Sequence, residues 1–333
     1  MGTFAGFIYR QLIVKPKPLA ANVRLDGKTA LVTGANAGLG FEAARELSSH
    51  GLARLILAVR TVSKGEEARD MILAESPGVT VEVWALDHES FVSIDEFGRR
   101  ASELDRLDIV ILNAGVKNLD YVETKTGHES HLQVNHLGTA LVSVHMLSPL
   151  SRTAKLLGSP TRLTIVSSEN HFWANFKELQ AVNTRAQLDS YRDCFRGLDR
   201  INIEEYSTSK LLNVLWMCEL SGRAGKMGLD IVINSVNPGL CASSLHCTDP
   251  QATRAVRLIA YTSAQGGYCL TDAVVLHGEA RGAYLSEQSV KDPSTFVLSG
   301  AGRGAQKKLW KETVDLLKTE APVVEILQSL TSV

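Results

Sequence analysis

Six short apolar runs, separated by segments with helical periodicity, constrain the fold of this chain more than any other feature. Near-continuous apolar runs of this length are typical of strands that are buried on both faces of a sheet. Their alternation with helices predicts an α/β protein with a three-layer, doubly wound parallel sheet of about seven strands. Residues 294–299 are expected to add the last strand. The six runs cover residues 28–34, 52–60, 79–87, 107–115, 162–168 and 230–239.

The spacing of these runs indicates one large domain with additions at both ends. The chain has 333 residues, and the alternation occupies residues 26–300. Residues 1–25 form an N-terminal extension. Residues 301–333 form a helical tail, in which 306–327 reads as one amphipathic helix packed on the domain. Residues 169–205 are too many for a plain strand-to-helix connection, so we expect a substrate-lid insert there, with a self-packed surface insert as the alternative.

Composition excludes several classes of function. Hydrophobic residues make up 44% of the chain, charged residues make up 21%, and the formal net charge is −1. This balance gives no attraction to nucleic acid or to a membrane surface, and no apolar run approaches the roughly 20 residues of a membrane span. Five irregularly spaced cysteines and the lack of a signal-peptide pattern favour a cytoplasmic protein. Its expected partner is a small molecule, and a homo-oligomer stays open.

A glycine-rich loop follows the first predicted strand and opens the first predicted helix. The sequence "TGANAGLG" occupies residues 33–40. Glycines at this position let the backbone approach a pyrophosphate, and a helix N-terminus attracts its negative charge. A plain glycine-rich turn is the alternative, but the strand before and the helix after favour nucleotide binding. The residues expected to contact the nucleotide are Gly34, Asn36, Gly38, Leu39 and Gly40.

Residues at the ends of the next strands predict which nucleotide binds. An acidic residue after the second strand would favour NAD, whereas this chain has Arg60, whose guanidinium suits the 2′-phosphate of NADP. A solvated surface arginine is the alternative. Asp87, after the third strand, is placed either to accept a hydrogen bond from the adenine or to cap a helix. After the fourth strand, Asn113 and the small residues Ala114 and Gly115 let a cofactor lie close.

A tyrosine and a lysine lie four residues apart near the start of a predicted helix. This spacing places Tyr206 and Lys210 on one helix face. A free tyrosine has a pKa of about 10, and a neighbouring ammonium would lower that pKa, so the pair predicts a tuned proton donor and acceptor. Hydride transfer to a carbonyl needs such a proton. Ser167 and Ser168 end the fifth strand, where either is placed to polarise a carbonyl.

These residues, in this order, resemble the short-chain dehydrogenase/reductase family over about residues 25–300. The likeness implies its Rossmann fold and is nearest to the retinol-dehydrogenase-like branch and to fungal secondary-metabolite reductases. It assigns the catalytic serine to Ser168 and gives a catalytic role to Asn135 of "VNHLG". The Pro-Gly pair after the sixth strand, Pro238-Gly239, together with Ser243, is implied to contact the cofactor.

The resemblance also implies a reaction. NADPH would place a hydride on a substrate carbonyl carbon, Tyr206 would donate a proton to its oxygen, and Ser168 would hydrogen-bond that oxygen. Lys210 would hold the nicotinamide ribose and lower the pKa of Tyr206, so both Tyr206 and Lys210 would also bind the cofactor. Asn135 would hold a water that links Lys210 to solvent. In reverse, the same set oxidises an alcohol. A dehydratase or cyclase on the same fold and a nucleotide-sensing regulatory protein are the alternatives.

Two further patterns concern the substrate and metals. The segment 169–205 is rich in aromatic residues, which predicts a lid over a largely apolar substrate. No metal site is expected, because the five-residue step from His131 to His136 leaves a single face of an α-helix. The aromatic and imidazole side chains of the segment are His171, Phe172, Trp173, Phe176, Tyr191 and Phe195.

Overall fold

An eight-stranded sheet forms the centre of the computed structural model. The structure describes residues 4–118, 120–174, 203–242, 245, 259–322 and 324–332. The strands are β1 (Thr29–Thr33), β2 (Arg54–Val59), β3 (Thr80–Ala85), β4 (Ile109–Leu112), β5 (Thr161–Val166), β6 (Ile231–Asn237), β7 (Tyr284–Ser286) and β8 (Ser289–Lys291). Their order is β3-β2-β1-β4-β5-β6-β7-β8. All neighbours are parallel except β7 and β8. The predicted doubly wound α/β class is confirmed.

Helices cover both faces of the sheet. Alternate residues of each strand point to opposite faces, so Leu31 packs in the hydrophobic cluster of α4, α5 and α6, while Ala30 and Val32 pack with α2, α3 and α7. A π-helix (His131–Gly138) runs directly into α5, and a short 3₁₀ helix (Glu169–Phe172) follows β5. The α-helices are α1 (Phe4–Ile13), α2 (Gly38–Ser49), α3 (Val62–Glu75), α4 (Phe91–Ser102), α5 (Thr139–Leu157), α6 (Ile203–Lys226), α7 (Ser263–Val275), α8 (Thr295–Leu298), α9 (Gly300–Glu320) and α10 (Glu325–Thr331).

The strand order creates a crevice between β1 and β4. The chain builds outward from β1 through β2 to β3, then returns to add β4 on the other side of β1. At such a reversal the loops that follow the two central strands diverge, and ligands bind at the carboxyl ends of the strands. Gly34 follows β1 and Asn113 follows β4, so the fold places both at this crevice.

The strand expected at residues 294–299 is wrong, because Thr295–Leu298 forms helix α8. The sheet is instead extended by the hairpin of β7 and β8. Its two turn residues, Glu287 and Gln288, have φ angles of 53° and 55°. A type I′ hairpin turn needs positive φ at both positions and usually carries Gly or Asn there. Because neither residue is present here, the sequence lacks the usual signal for this turn.

The prediction of a single helix at residues 306–327 is also wrong, because two helices occupy this region. Helix α9 begins earlier, at Gly300, and ends at Glu320, and α10 starts at Glu325. Pro322 explains the break, because a proline disfavours helical geometry in the residue before it. Ala321 accordingly has φ −110° and ψ 156°.

Both ends of the chain pack on the central domain. Leu25 lies in the cluster with α2 and α7, and Leu330 lies in the cluster with α5 and α6. Trp310 of α9 stacks on Trp216 of α6 with ring centroids 4.5 Å apart. The expected domain boundaries stay a prediction, and most of the expected lid, residues 175–202, lies outside the described residues. Within the described part of the chain, every helix is too short or too polar to cross a membrane.

Candidate active site

A cleft of about 490 Å³ lies at the carboxyl ends of the central strands. It reaches from the loop after β2, through the crevice between β1 and β4, to the start of α6. Gly40 and Asn135 do not line it, and Ser243 lies outside the described residues. The structure brings the other residues expected from the sequence together along its wall: Gly34, Asn36, Gly38, Leu39, Arg60, Asp87, Asn113, Ala114, Gly115, Ser168, Tyr206, Lys210, Pro238 and Gly239.

The glycine-rich loop packs closely against the loop after β4. Gly34 has φ +65°, and a Cβ there would lie 3.0 Å from the Ala114 Cα, so a larger residue would crowd the loop after β4. Ala37, which precedes α2, has no side-chain group to cap the first N–H groups of the helix. An anion is a suitable partner for such free N–H groups.

The sequence analysis expected Gly40 to contact the cofactor, but in the structure this residue has a packing function. A Cβ at this residue would lie 2.5 Å from the Asn113 Nδ2 and 2.6 Å from the Gly34 carbonyl oxygen. Asn113 in turn donates from Nδ2 to the Thr33 carbonyl at 3.0 Å. Gly40 therefore lets α2 pack closely against the strand ends, and Asn113 ties those ends together.

Arg60 lies at the far end of the cleft from Tyr206 in the fold, after β2. Its side chain is 66% exposed and forms an ion pair with Glu89, with Arg60 Nη1 3.2 Å from Glu89 Oε1. Asp87 accepts a hydrogen bond from the Glu89 backbone N–H at 3.0 Å. The Arg60 guanidinium is therefore accessible from the cleft. The Glu89 carboxylate, which the sequence analysis did not consider, competes with the expected 2′-phosphate for it.

Ser168, Tyr206 and Lys210 meet at the other end of the cleft. The Ser168 and Tyr206 side chains are joined by a hydrogen bond. The Lys210 Nζ lies 5.6 Å from the centre of the Tyr206 ring and donates to the Val166 carbonyl at 3.3 Å. Ser167 instead donates to the Lys210 carbonyl at 2.9 Å. The two serines therefore have separate functions, and only Ser168 pairs with the tyrosine.

The expected lowering of the Tyr206 pKa is wrong for this arrangement. Burial raises the pKa of Tyr206 to about 12, and the hydrogen bond from Ser168 only partly opposes this shift. Burial likewise lowers the pKa of Lys210 to about 8. The desolvation of a buried phenolate outweighs the attraction of an ammonium that is held near the ring face by a backbone carbonyl. Tyr206 is therefore protonated at neutral pH.

Asn135 lies behind the cleft and supports it. Its Nδ2 donates to the Val116 carbonyl and to Ser209 Oγ, each at 3.0 Å, and its Oδ1 accepts from the Val116 N–H at 2.8 Å. A Cβ on Gly115 would lie 3.0 Å from the same oxygen. Asn135 thus joins the loop after β4 to the helix that carries Tyr206.

His131 and His136, on either side of Asn135, belong to a π-helix. The prediction that they do not share a metal site assumed the spacing of an α-helix, so that argument used the wrong geometry. Each still has its own partner. His131 Nε2 accepts from the Asn118 N–H at 3.0 Å, and His136 Nε2 lies 3.0 Å from Thr313 Oγ1. Among the residues that the structure describes, no group of three His, Cys, Asp or Glu side chains is positioned to hold a metal ion.

His171 holds the backbone beside Ser168. Its Nε2 accepts a hydrogen bond from the Ser294 N–H at 3.0 Å, so its Nδ1 carries the proton and donates to the Ser168 carbonyl at 2.8 Å. Burial lowers the pKa of His171 to about 4, which keeps this ring neutral. His171 packs 4.7 Å from the Tyr284 ring, away from the cleft. His171, which the sequence analysis placed in the aromatic lid, is therefore a buried residue that supports the backbone at Ser168.

The sequence interpretation missed that the N-terminal extension reaches this cleft. Phe7 of α1 lines it, together with Glu169 and Trp173, which follow Ser168. Contacts with residues more than 150 positions away in the sequence hold helix α1 next to the site, for example the ion pair of Arg10 with Glu169. No local pattern in residues 4–13 signals these partners.

Comparisons with known proteins agree with the fold and with the residues of the site. The family model described as short chain dehydrogenase matches residues 28–170. The chain is 58% identical over 293 residues to the short chain dehydrogenase sol3 of Alternaria solani, covering 87% of this chain and 100% of that protein. It is 34% identical to the short-chain dehydrogenase fogG of Aspergillus ruber, covering 97% and 94% of the two chains.

Solved structures show the same fold. A protein from Mycobacterium paratuberculosis described as putative and uncharacterized superposes with a TM-score of 0.66 and 26% identity, covering 92% of this chain and 100% of that chain. A short chain dehydrogenase from Shigella flexneri, solved in complex with NADP, superposes with a TM-score of 0.58 and 20% identity, covering 81% and 100%. The chain belongs to the short-chain dehydrogenase family of oxidoreductases.

Proposed function

We propose that this protein is an NADPH-dependent carbonyl reductase that converts a ketone or aldehyde of a largely apolar small molecule into an alcohol. The observation that carries the proposal is the buried Tyr206, hydrogen-bonded to Ser168 at the end of a nucleotide-sized cleft. The proposal places the enzyme in the cytoplasm and its substrate in secondary-metabolite biosynthesis, as in the fungal reductases that the sequence resembles.

The residues of the cleft fit a nicotinamide nucleotide. The glycine-rich loop lines the cleft, the uncapped start of α2 suits a pyrophosphate, and the exposed Arg60 suits a 2′-phosphate. We assign the adenine end to Asp87 and the nicotinamide ribose to Lys210. When bound, the reduced nicotinamide supplies the hydride.

The chain's own residues supply the proton and the orientation. The carbonyl oxygen accepts hydrogen bonds from Ser168 and Tyr206, which fixes the carbonyl carbon for attack. As hydride reaches this carbon, the oxygen takes the Tyr206 proton and becomes a hydroxyl. Tyr206 is protonated at neutral pH and so carries the proton that the reduction consumes. Asn135 holds the loop and the helix on either side of Lys210 in register.

The substitution Tyr206→Phe tests the proposal. It keeps the ring and removes the transferable proton, so we expect NADPH to bind with unchanged Kd and kcat to fall by about 10²–10⁴-fold. Turnover is followed by loss of the absorbance of NADPH with cyclic and open-chain ketones, and NADPH binding by fluorescence titration. Tyr9→Phe, which removes a hydroxyl from a side chain that is 64% exposed, is the matched control. Full activity of the Tyr206→Phe protein would rule out the proposed role of this residue.

A further inference from the structure

Helix α1 is fixed against the loops of the cleft by hydrogen bonds at its C-terminal half. Gln11 donates from Nε2 to the Leu240 carbonyl at 2.7 Å, and its Oε1 accepts from the Leu240 N–H at 3.2 Å. The Tyr261 hydroxyl donates to the Arg10 carbonyl at 3.1 Å. Because Leu240 follows Pro238-Gly239, these contacts tie α1 to the loop after β6.

A buried charge cluster ties α1 to the residue that follows Ser168. The Arg10 guanidinium pairs with Glu169 and, through Nε at 2.7 Å, with Glu287. The side chains of all three are largely buried, with exposed fractions of 15%, 8% and 13%. The Glu169 N–H also donates to Asn237 at 3.0 Å. Since buried ion pairs demand defined geometry, this cluster fixes the position of α1 relative to Ser168.

Two aromatic rings meet where α1 borders the cleft. Phe7 packs edge-to-face against Trp173, with ring centroids 6.0 Å apart, and both line the cleft. Trp173 is 42% exposed, whereas the other three tryptophans of the chain, Trp84, Trp216 and Trp310, are at most 3% exposed. An indole that is exposed in a cleft, five residues after Ser168, offers apolar area that a bound molecule can cover.

We propose that α1 is a wall of the substrate site, in which Phe7 and Trp173 select ketones with a fused-ring or similarly bulky apolar body. This inference rests on the proposed carbonyl reduction and extends it to the substrate. The charge cluster of Arg10 holds the wall in place. Phe7 and Trp173 stand on the Ser168 side of the cleft, whereas the glycine-rich loop and Arg60 lie toward its other end, so loss of these two rings affects substrate and spares the cofactor.

The first experiment measures the position of α1 without any turnover. Trp173 is the one tryptophan of the chain that acrylamide reaches, because the other three are buried, so collisional quenching of fluorescence reports on it. Phe7→Ala and Arg10→Met should raise the quenching constant. Tyr9→Ala, on the outer face of α1 where the side chain is 64% exposed, should leave it unchanged. Trp173→Phe should remove the quenchable component. Equal quenching in Phe7→Ala, Arg10→Met and the unchanged protein would overturn the inference.

The second experiment measures selection by ring size. Cyclohexanone and 1-decalone carry the same reactive group but differ by one fused ring, and both lack an aromatic ring. With NADP⁺ present, 1-decalone should shield Trp173 from acrylamide. Phe7→Ala and Trp173→Ala should raise KM for 1-decalone roughly tenfold, as expected for a lost aromatic contact, and leave KM for cyclohexanone and the NADPH Kd unchanged. Tyr9→Ala should change none of these values.

The outcomes separate this inference from the proposed function. If 1-decalone shields Trp173 but is not reduced, the wall is supported and the reduction is not. If 1-decalone is reduced with the same KM by the Phe7→Ala, Trp173→Ala and unchanged proteins, the reduction is supported and the wall is wrong. Failure of 1-decalone to shield Trp173 overturns the wall whatever the turnover.

Discussion

Lys210 combines a proposed function with a cost in stability. Its ammonium is buried, its hydrogen bond runs to the Val166 carbonyl at 3.3 Å, and burial lowers its pKa to about 8. An unfolded lysine has a pKa of about 10.4, so at neutral pH the folded chain holds a charge in a place that disfavours it. A lysine at this position therefore weakens the fold, and we propose that its benefit is the contact with the nicotinamide ribose.

Lys210→Met should raise stability while it abolishes turnover. The lowered pKa of Lys210 corresponds to a loss of stability on the order of 3 kcal/mol, which the mutant regains at pH 7. Because the unfolded chain binds the extra proton between about pH 8 and 10.5, the unchanged protein gains stability as pH rises through this window. The difference in Tm between the two proteins should therefore shrink from pH 8 to pH 10. Lys155→Met, at an exposed lysine, is the control, and a Tm that falls on Lys210→Met would contradict the argument.

Arg60 determines the preference for NADPH if it binds the 2′-phosphate. Arg60→Asp removes a charge-assisted hydrogen bond and adds repulsion, so the Kd for NADPH should rise by roughly 10- to 100-fold while that for NADH changes little. Glu89→Gln removes the competing carboxylate, which lies 3.2 Å from Arg60, and should tighten NADPH binding. Both constants are measured by fluorescence titration. Equal affinity of the unchanged protein for NADPH and NADH would refute the role of Arg60.

At the scale of elements, the turn between β7 and β8 anchors the N-terminal segment. Glu287 and Gln288 both have positive φ, which costs a non-glycine residue roughly 1–2 kcal/mol. Both side chains bind the N-terminal segment: Glu287 pairs with Arg10, and Gln288 exchanges hydrogen bonds of 2.8 and 2.7 Å with the Lys17 backbone. The strained turn is therefore compensated by contacts that position α1.

Two substitutions at Gln288 separate the strain from the contacts. Gln288→Gly and Gln288→Ala both lose the bonds to Lys17, so amide hydrogen exchange of residues 4–17 should accelerate equally in both. Glycine relieves the positive φ and alanine does not, so the alanine variant should be less stable in urea by about 1 kcal/mol. Unchanged exchange of residues 4–17 in both variants would show that the turn does not anchor the segment.

At the scale of the whole molecule, buried neutral histidines make the fold sensitive to acid. Burial lowers the pKa values of His88, His136 and His171 to about 4. Between pH 6.5 and 4 the unfolded chain binds protons at these residues that the folded chain rejects, so stability falls as pH falls. Each such histidine contributes a slope of up to about 1.36 kcal/mol per pH unit, giving roughly 4 kcal/mol per unit for three.

Urea unfolding at pH 7, 6 and 5 measures this slope. His136→Gln keeps a polar group opposite Thr313 and removes one titrating site, so the slope should fall by about one third. The raised pKa of the buried Glu46 acts in the opposite direction, because it favours protonation of the folded chain. Stability that stays constant from pH 7 to pH 5 would show that these three rings are not buried neutral.

Features that depend on short stretches of chain were determined by the sequence alone. Burial on both faces requires near-continuous apolar strands, so β1, β2, β4, β5 and β6 are readable from composition in windows of a few residues. The glycine-rich loop and the spacing of Tyr206 and Lys210 follow from the geometry of one turn and one helix. These local rules account for the fold class and for the glycine-rich loop and the Tyr206–Lys210 pair of the cleft.

Features that sum over distant neighbours were decided by the tertiary structure. The pKa of Tyr206 depends on how much water the whole fold removes from it, and this desolvation outweighs the nearby lysine that the sequence made visible. The turn at Glu287 and Gln288 holds positive φ without glycine, and the contacts of both side chains with the N-terminal segment offset the strain. Arg10 meets Glu169 across 159 positions. A charge pair between such distant residues forms only after the sheet has brought both ends of the cleft together.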